Sequence, residues 1–330
     1  MTVGLVIGKF LPPHAGHLFL IEMAAAACDE LHVCLLAAPP EERILPAWLR
    51  HAWLVELVPD AIVTSSISDH PIDYADPAVY DLWVAEIRRT TGRRAFDFVF
   101  TSEPAYGDET ARRLGAEHVL VDTARRRVPI SAFAIRSDPW ACWKYLPPPV
   151  RAHYARRVLL TGAESTGTTS LAAALAHRYD TAWVPEFGRE YSVPKDRRGE
   201  PWTSAEFLHI GLTQQAREDT AGREANRLLF CDTDALATAI WHERYLGTFG
   251  SAVAAATWSD RYDLVLLADD EFPWTDDGTR NSPAVRQAMQ RRFRDQLTAR
   301  GRPFVTLSGT PDQRLATAER AIGDRLGLWP

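Results

Sequence analysis

Val3-Gly4-Leu5-Val6-Ile7 runs directly into Gly8-Lys9-Phe10-Leu11-Pro12-Pro13-His14-Ala15-Gly16-His17, and a helix-like stretch, Leu18 to Cys28, follows at once. An apolar run, a Gly/Pro-rich turn and a helix make the opening of a βα unit. Gly8 lets backbone approach a ligand closely, and Pro12-Pro13 stiffens the turn. Gly16-His17 opens a helix whose first N–H groups lack partners and therefore favour an anion. His14 and His17 stand one helical turn apart, so two imidazoles converge where a phosphate would sit.

The same alternation continues outward from this stretch. Apolar runs at 3–7, 31–37, 61–64, 96–101 and 117–121 alternate with helix-like segments at 17–28, 46–57, 78–91 and 107–114. Continuous apolar strands such as Leu31-His32-Val33-Cys34-Leu35-Leu36 suit a parallel sheet covered by helices on both faces, with ligand at the carboxyl ends of the strands. Pro147-Pro148-Pro149 interrupts the pattern, because successive prolines remove donors and disfavour helix. Two domains, 1–148 and 149–330, are expected. After the break, apolar runs at 157–161, 181–184, 228–231, 263–268 and 303–307 alternate with helical stretches at 169–178, 204–225, 233–246, 282–299 and 311–326. The fold class expected is α/β, two doubly wound parallel-sheet domains. No repeat at fixed period relates the halves.

The second half has a phosphate signature of its own. Gly162-Ala163-Glu164-Ser165-Thr166-Gly167-Thr168-Thr169-Ser170 follows its first strand and opens a helix, the context a P-loop requires. The pattern G-x-x-x-x-G-K-[ST] puts lysine where this chain has Thr168, while Thr169 keeps the hydroxyl that would face Mg²⁺. The backbone N–H cradle survives that change, but a cation at the β/γ-phosphates is lost. By analogy with a missing arginine finger, an uncompensated loss would cost ~10³–10⁵ in rate. Arg280, Arg286, Arg291 and Arg292 are candidates to replace it, with a solvated helix face as the competing explanation. Asp232, at the end of the run Leu228-Leu229-Phe230-Cys231, reads as the Mg²⁺ partner of Thr169. Thr233 or Asp234 reads equally as the N-cap of the next helix.

Composition bounds the partners. With 46% apolar and 24% charged residues the chain is ordinary for a globular protein, and no apolar run approaches the ~20 residues that cross a bilayer. A cytoplasmic protein with no leader peptide is expected. A formal charge of −6 argues against a broad nucleic-acid footprint, although arginines cluster at 125–127 and 291–294. Cys28, Cys34, Cys142 and Cys231 form no C-x-x-C pair and read as reduced, buried thiols.

With both signatures located, nearly the whole chain resembles the NadR-type bifunctional family, which joins nicotinamide-mononucleotide adenylyltransferase to ribosylnicotinamide kinase. Gly8-Lys9-Phe10 to His14-x-Gly16-His17 is similar to the family's nucleotidyltransferase signature. Thr101-Ser102-Glu103 with Tyr106-Gly107 resembles its mid-domain segment, and Ile130-Ser131-Ala132-Phe133-Ala134-Ile135-Arg136 its I-S-x-T-x-I-R motif, with Phe133 in place of threonine. Pro185-Glu186-Phe187-Gly188-Arg189-Glu190-Tyr191 and Phe272-Pro273-Trp274-Thr275-Asp276-Asp277-Gly278-Thr279-Arg280 resemble segments of the kinase half. The resemblance implies a Rossmann-like nucleotidyltransferase domain followed by a P-loop kinase-like domain. Small-molecule substrates are implied: ATP, nicotinamide mononucleotide and ribosylnicotinamide, with Mg²⁺ as cofactor. In the first domain Lys9, His14, His17 and Arg136 would neutralise developing charge. Gly8, Phe10, Gly16 and Ser131 would hold the nucleotide, and Ser102, Glu103 and Tyr106 the acceptor. In the second, Gly162, Ser165, Thr166, Gly167, Thr168, Thr169, Ser170 and Arg280 would bind ATP, and Thr169 and Asp232 the metal. Trp274, Asp276 and Asp277 would take the nucleoside, with Trp274 able equally to pack between helices. Asp232 or Glu190 would assist the metal or the hydroxyl. Neither a membrane nor a nucleic acid is implied as partner, a repressor role is not implied, and a homo-oligomer is compatible. Two other readings stay open: a different nucleotidyl transfer on the same scaffold, and a lysine-less P-loop domain that senses nucleotide without turnover.

Overall fold

The computed structural model describes residues 1–71, 73, 75–257, 261–271 and 283–330. The chain forms two compact units, Met1–Val150 and Arg151–Pro330.

In chain order the first unit runs β1 (Val3–Gly8), α1 (Ala15–Ala25), β2 (Glu30–Ala37), α2 (Ala47–Leu57), β3 (Ile62–Ile67), α3 (Pro77–Thr91), β4 (Phe98–Thr101), α4 (Pro104–Leu114), β5 (Glu117–Leu120) and α5 (Ala132–Ser137). Its strands pair in parallel in the order β3-β2-β1-β4-β5. Side chains alternate across the pleat, and both faces find helices. Val6, Val33 and Leu35 pack on Leu20, Ile21 and Ala24 of α1 and Leu54 of α2. Leu5, Ile7, Cys34 and Val99 pack on Val84 and Ile87 of α3 and Ala111 and Leu114 of α4. Two-sided burial explains why the central strands β1, β2 and β4 are mostly apolar, whereas the edge strands β3 and β5 are partly exposed and mixed in composition. Each fully buried Leu, Ile or Val contributes about 1.5–3 kcal/mol relative to exposure.

After α6 (Pro148–Tyr154), the second unit runs β6 (Arg156–Thr161), α7 (Thr168–Arg178), β7 (Trp183–Val184), α8 (Phe187–Arg198), α9 (Ser204–Ala221), β8 (Leu228–Asp232), α10 (Ala235–Leu246), α11 (Ser251–Thr257), β9 (Leu264–Ala268), α12 (Pro283–Ala299), β10 (Val305–Leu307) and α13 (Pro311–Leu326). The sheet order is β10-β9-β6-β8-β7, all parallel. Central β6 sends Val158 and Leu160 toward Leu171 and Leu175 of α7 and Ile322 of α13, and Leu159 toward Ile240 of α10 and Phe293 and Leu297 of α12. The fold is therefore α/β with two doubly wound parallel sheets.

Four helices depart from the expectation. α5, α6 and α11 are short, α6 starting at Pro148 inside the proline run expected to disfavour helix, since a first turn tolerates proline, and α8 carries Pro194 inside it and few apolar residues. None shows the apolar period by which a helix is read from sequence. The four cysteines are free, Cys34 and Cys231 buried on β2 and β8 and Cys28 and Cys142 partly covered. Among the described residues no helix is long and apolar enough to cross a membrane.

Candidate active sites

In the first unit the strand order reverses beside β1, whose carboxyl end feeds Gly8-Lys9 and, through the proline turn, α1. His14 is itself the N-cap of α1: its Nδ1 accepts from the N–H groups of Gly16 (3.1 Å) and His17 (3.3 Å). That engagement leaves Nε2 as the N–H donor of a neutral ring. The ring of His17 stacks on it with centroids 3.7 Å apart. Burial, reinforced by the positive charge of Arg125, pushes His14 down to about 4. His17 is also held well below the ordinary histidine range, by burial first and then by His14 and Arg125. Buried Nδ1 of His17 has no hydrogen-bond partner among the described residues. A Cβ at Gly16 would lie 3.0 Å from the His14 ring that caps the helix, so a larger residue there would press on the cap.

Other expected residues surround this pair in varied roles. Arg136 donates to the carbonyl of Leu11 at 2.6 Å, tying α5 to the proline turn, and the Ser131 hydroxyl caps α5 by accepting from Ala134 at 3.1 Å. Lys9 pairs with Glu41 at 2.6 Å while its carbonyl accepts from the fully buried Arg50 at 2.6 Å. Phe10 needs correction as a nucleotide contact: its ring is 1% exposed in the core and meets His17 edge-on at 4.9 Å, so it forms the floor of the site. Gly8 lies over that same ring. Ser102 and Glu103 follow the carboxyl end of β4, the neighbour of β1. Glu103 pairs with Arg125 at 3.0 Å, and Tyr106 packs against the core under α4. Sequence reasoning missed Arg125 as a site residue. Its signal was present in the arginine run after β5, in a loop whose turn Asp122 closes by accepting from the N–H groups of Arg126 and Val128 at 2.8 and 3.2 Å.

In the second unit, Gly162 leaves β6 with φ of 154°, where a Cβ would lie 2.9 Å from the carbonyl of Ala268. The loop is held by side chains that leave its N-terminal helix end open. Thr166 donates to the carbonyl of Ala163 at 2.7 Å, and Gln290 accepts from Ala163 N–H at 3.0 Å while donating to Ala268 at 2.8 Å. Buried Arg314 donates at 3.0 Å to each of the carbonyls of Thr166, Asp269 and Gly309. Gly167 and Thr168 then start α7. Thr169 donates to Asp232 at 2.5 Å, and the Thr168 hydroxyl also bonds Asp232. Burial raises the Asp232 carboxyl, against those hydroxyls and Arg189. Of Thr233 and Asp234, it is Asp234 that caps α10, accepting from Ala237 at 2.8 Å.

A cavity of about 1180 Å³ opens over this loop, reached by Ser165 and Ser170 on one side and by Glu186 and Arg189 on the other. Glu186 is pushed up to about 7 by burial first and then by Asp232, with Arg189 opposing. Glu190 is corrected: it points away, pairs with Arg217 at 2.6 Å and does not line the cavity, so Glu186 is the acid that faces Asp232. The far wall is aromatic, with Trp202, Phe207, Trp241 and Tyr245; Trp202 and Tyr245 have ring centroids 5.2 Å apart. Trp274, Asp276, Asp277 and Arg280 lie outside the described residues. Arg286 donates to the carbonyl of Asp270 at 2.9 Å, Arg292 pairs with Glu243 at 2.7 Å, and neither these two nor Arg291 lines the cavity.

Compared with known proteins, the chain is 30% identical over 350 residues to the trifunctional NAD biosynthesis/regulator protein NadR of Escherichia coli (strain K12), covering 99% of this chain and 84% of that protein. The chain belongs to the NadR family. The NadR of Salmonella typhimurium (strain LT2) is 29% identical over 325 residues, spanning 92% of this chain and 78% of that protein. An AAA domain model matches residues 157–314, most of the second unit. Two solved NadR structures share the fold. One, in complex with NR, has a TM-score of 0.80 at 21% identity, covering 99% of this chain and 96% of its own. The other, in complex with NAD and AMP-PNP, has a TM-score of 0.77 at 19% identity, covering 100% and 97%. Membership places the chain in a family named for NAD biosynthesis and its regulation.

Proposed function

We propose that this NadR-family chain carries two nucleotide-dependent transferases. The first unit moves the adenylyl group of ATP onto the phosphate of nicotinamide mononucleotide, giving NAD and pyrophosphate. The second phosphorylates the 5′-hydroxyl of ribosylnicotinamide with ATP, and its product is the acceptor of the first. Solved relatives in complex with NR, and with NAD and AMP-PNP, support this choice of ligands.

The stacked His14–His17 pair at the amino end of α1 carries the first assignment. Adenylyl transfer by direct displacement needs alignment and neutralisation of developing charge more than proton transfer. A neutral His14 whose Nδ1 caps the helix presents Nε2–H to a phosphate oxygen as a donor. Arg125 adds the positive charge that the histidines lack.

The second assignment rests on three groups around one cavity: the P-loop, the Thr169–Asp232 pair and Glu186. A hydroxyl bonded to a buried carboxylate beside a phosphate cradle suits Mg²⁺, which is held by few protein oxygens and by substrate phosphates. Thr169 and Asp232 would hold that ion, whose charge would offset that of the β- and γ-phosphates. Glu186, held near neutrality, accepts the proton of the attacking hydroxyl. The aromatic wall around Trp202 and Tyr245 offers π-faces to a pyridinium ring.

Thr168 favours one other reading, in which the second unit senses nucleotide without turnover. The deciding experiment incubates the protein with ATP and Mg²⁺ and either ribosylnicotinamide or nicotinamide mononucleotide. The proposal expects the mononucleotide from the first and NAD with pyrophosphate from the second. No NAD formed would overturn the adenylyl assignment. ATP binding without phosphorylation of the riboside would favour the sensor.

A further inference from the structure

The P-loop places Thr168 where a lysine would meet the terminal phosphates, and the Thr168 hydroxyl is turned to Asp232. Arg286 and Arg292 are used elsewhere, Arg291 does not line the cavity, and Arg280 lies outside the described residues. Arg314 reaches the loop, but three of its N–H groups are committed to backbone carbonyls. Among the described residues the other cations of the lining, Arg189 and Arg197, come from helix α8, where with Val193 they stand at i, i+4 and i+8 along one face. Arg189 lies in the first turn of α8, and its charge acts on both Asp232 and Glu186, the carboxylates at the P-loop and across from it. Its carbonyl accepts from Ser192 at 3.1 Å, while its guanidinium has no hydrogen-bond or ion-pair partner among the described residues. Arg197 stands two turns further along the helix.

We propose that Arg189 supplies the cation at the β/γ-phosphates of ATP that the P-loop of this chain lacks. The phosphate grip is thereby moved from the loop to α8. A guanidinium suits the task, because its planar fork meets two phosphate oxygens at once. Facing two carboxylates, it is drawn toward the point where a triphosphate would add its own negative charge. The inference deepens the kinase reading in its turnover arm, while its binding arm depends only on nucleotide entering the cavity.

The test uses the full-length protein with Arg189→Ala, Arg189→Lys, Thr168→Lys and the Arg189→Ala/Thr168→Lys double variant, with adenylyl transfer by the first unit as the control for folding. Calorimetric titration with AMP-PNP and with AMP should show Arg189→Ala weakening the triphosphate by about tenfold or more and AMP by less than about twofold. Riboside phosphorylation should fall ~10²–10³-fold in kcat, as when one transition-state donor is removed. A lysine at 168 should restore at least about tenfold of that loss in the double variant, and Arg189→Lys should fall between Ala and the parent. A merely structural arginine would not be rescued by a lysine on a different element. Equal loss for AMP and AMP-PNP, unchanged binding in Arg189→Ala, or the same gain from Thr168→Lys with and without Arg189 would each overturn the proposal. If the parent protein phosphorylates no riboside, the kinase reading fails and the AMP-PNP/AMP comparison still decides the role of Arg189.

Discussion

His14 does two things at once: it closes the amino end of α1 with Nδ1 and keeps Nε2–H for a ligand. The two roles separate by substitution. His14→Asn, a good N-cap, should retain the melting temperature of the parent, whereas His14→Ala should lose about 1 kcal/mol of stability. Both should lower adenylyl transfer ~10²–10³-fold, followed by pyrophosphate release. A stable His14→Asn variant of parental activity would mean the ring serves only the helix. Glu186 gives a pH signature instead. Its folded pKa, about 7, is raised above the ordinary 4.5, so the fold favours the protonated acid. The base is present only above that value, and riboside phosphorylation should rise with pH through about 7. Stability runs the other way. The contribution of Glu186 is intact below pH 4.5 and is lost as pH rises toward 7. Glu186→Gln should therefore abolish the pH limb, cut kcat ~10²–10⁴-fold and melt higher than the parent at pH 8. A pH limb that survives in Glu186→Gln belongs to another group.

At the scale of elements, the strands were legible because both faces of each sheet are covered. Leu31 to Leu36 reads as an apolar run, broken only by His32, for the same reason that Val33 and Cys34 face opposite helix layers. Helix α8 was not legible. Pro194 and a mostly polar composition hide it, and with it the reason Glu186 and Arg189 face a cavity while Glu190 turns to Arg217. Motif spacing locates a loop, but only the helix direction decides which of two nearby acids points inward. Arg314 was likewise invisible, since a buried arginine in an amphipathic helix leaves no pattern apart from its charge. Arg314→Met should leave the carbonyls of Thr166, Asp269 and Gly309 without their donor, each worth about 1–3 kcal/mol when buried. ATP affinity of the second unit should fall with the loss of loop order, and adenylyl transfer by the first should persist. Unchanged nucleotide affinity would show that the loop holds its shape through Gln290 and Thr166 alone.

Across the whole molecule, the two sheets differ in how their central strands acquire neighbours. In the first unit β1 pairs with β2, next in sequence, and with β4; in the second β6 pairs with β8 and β9. Core truncations should reflect the shared two-sided burial: Leu5→Ala and Leu159→Ala, each at a fully buried position, should cost about 2–5 kcal/mol in denaturant titrations. Little loss at either would mean that its sheet face repacks. The order of β6 also has a consequence during synthesis on the ribosome. The first sheet is complete once residues 117–120 have emerged, and Ser131 and Arg136 follow soon after. The P-loop instead emerges behind a strand that has no partner until 228–232, and lacks its second until 264–268. Parallel pairing across such a separation is slow. Until those strands emerge the Gly162–Gly167 turn has only its own Thr166–Ala163 bond, and the holds from Gln290 and Arg314 follow later still.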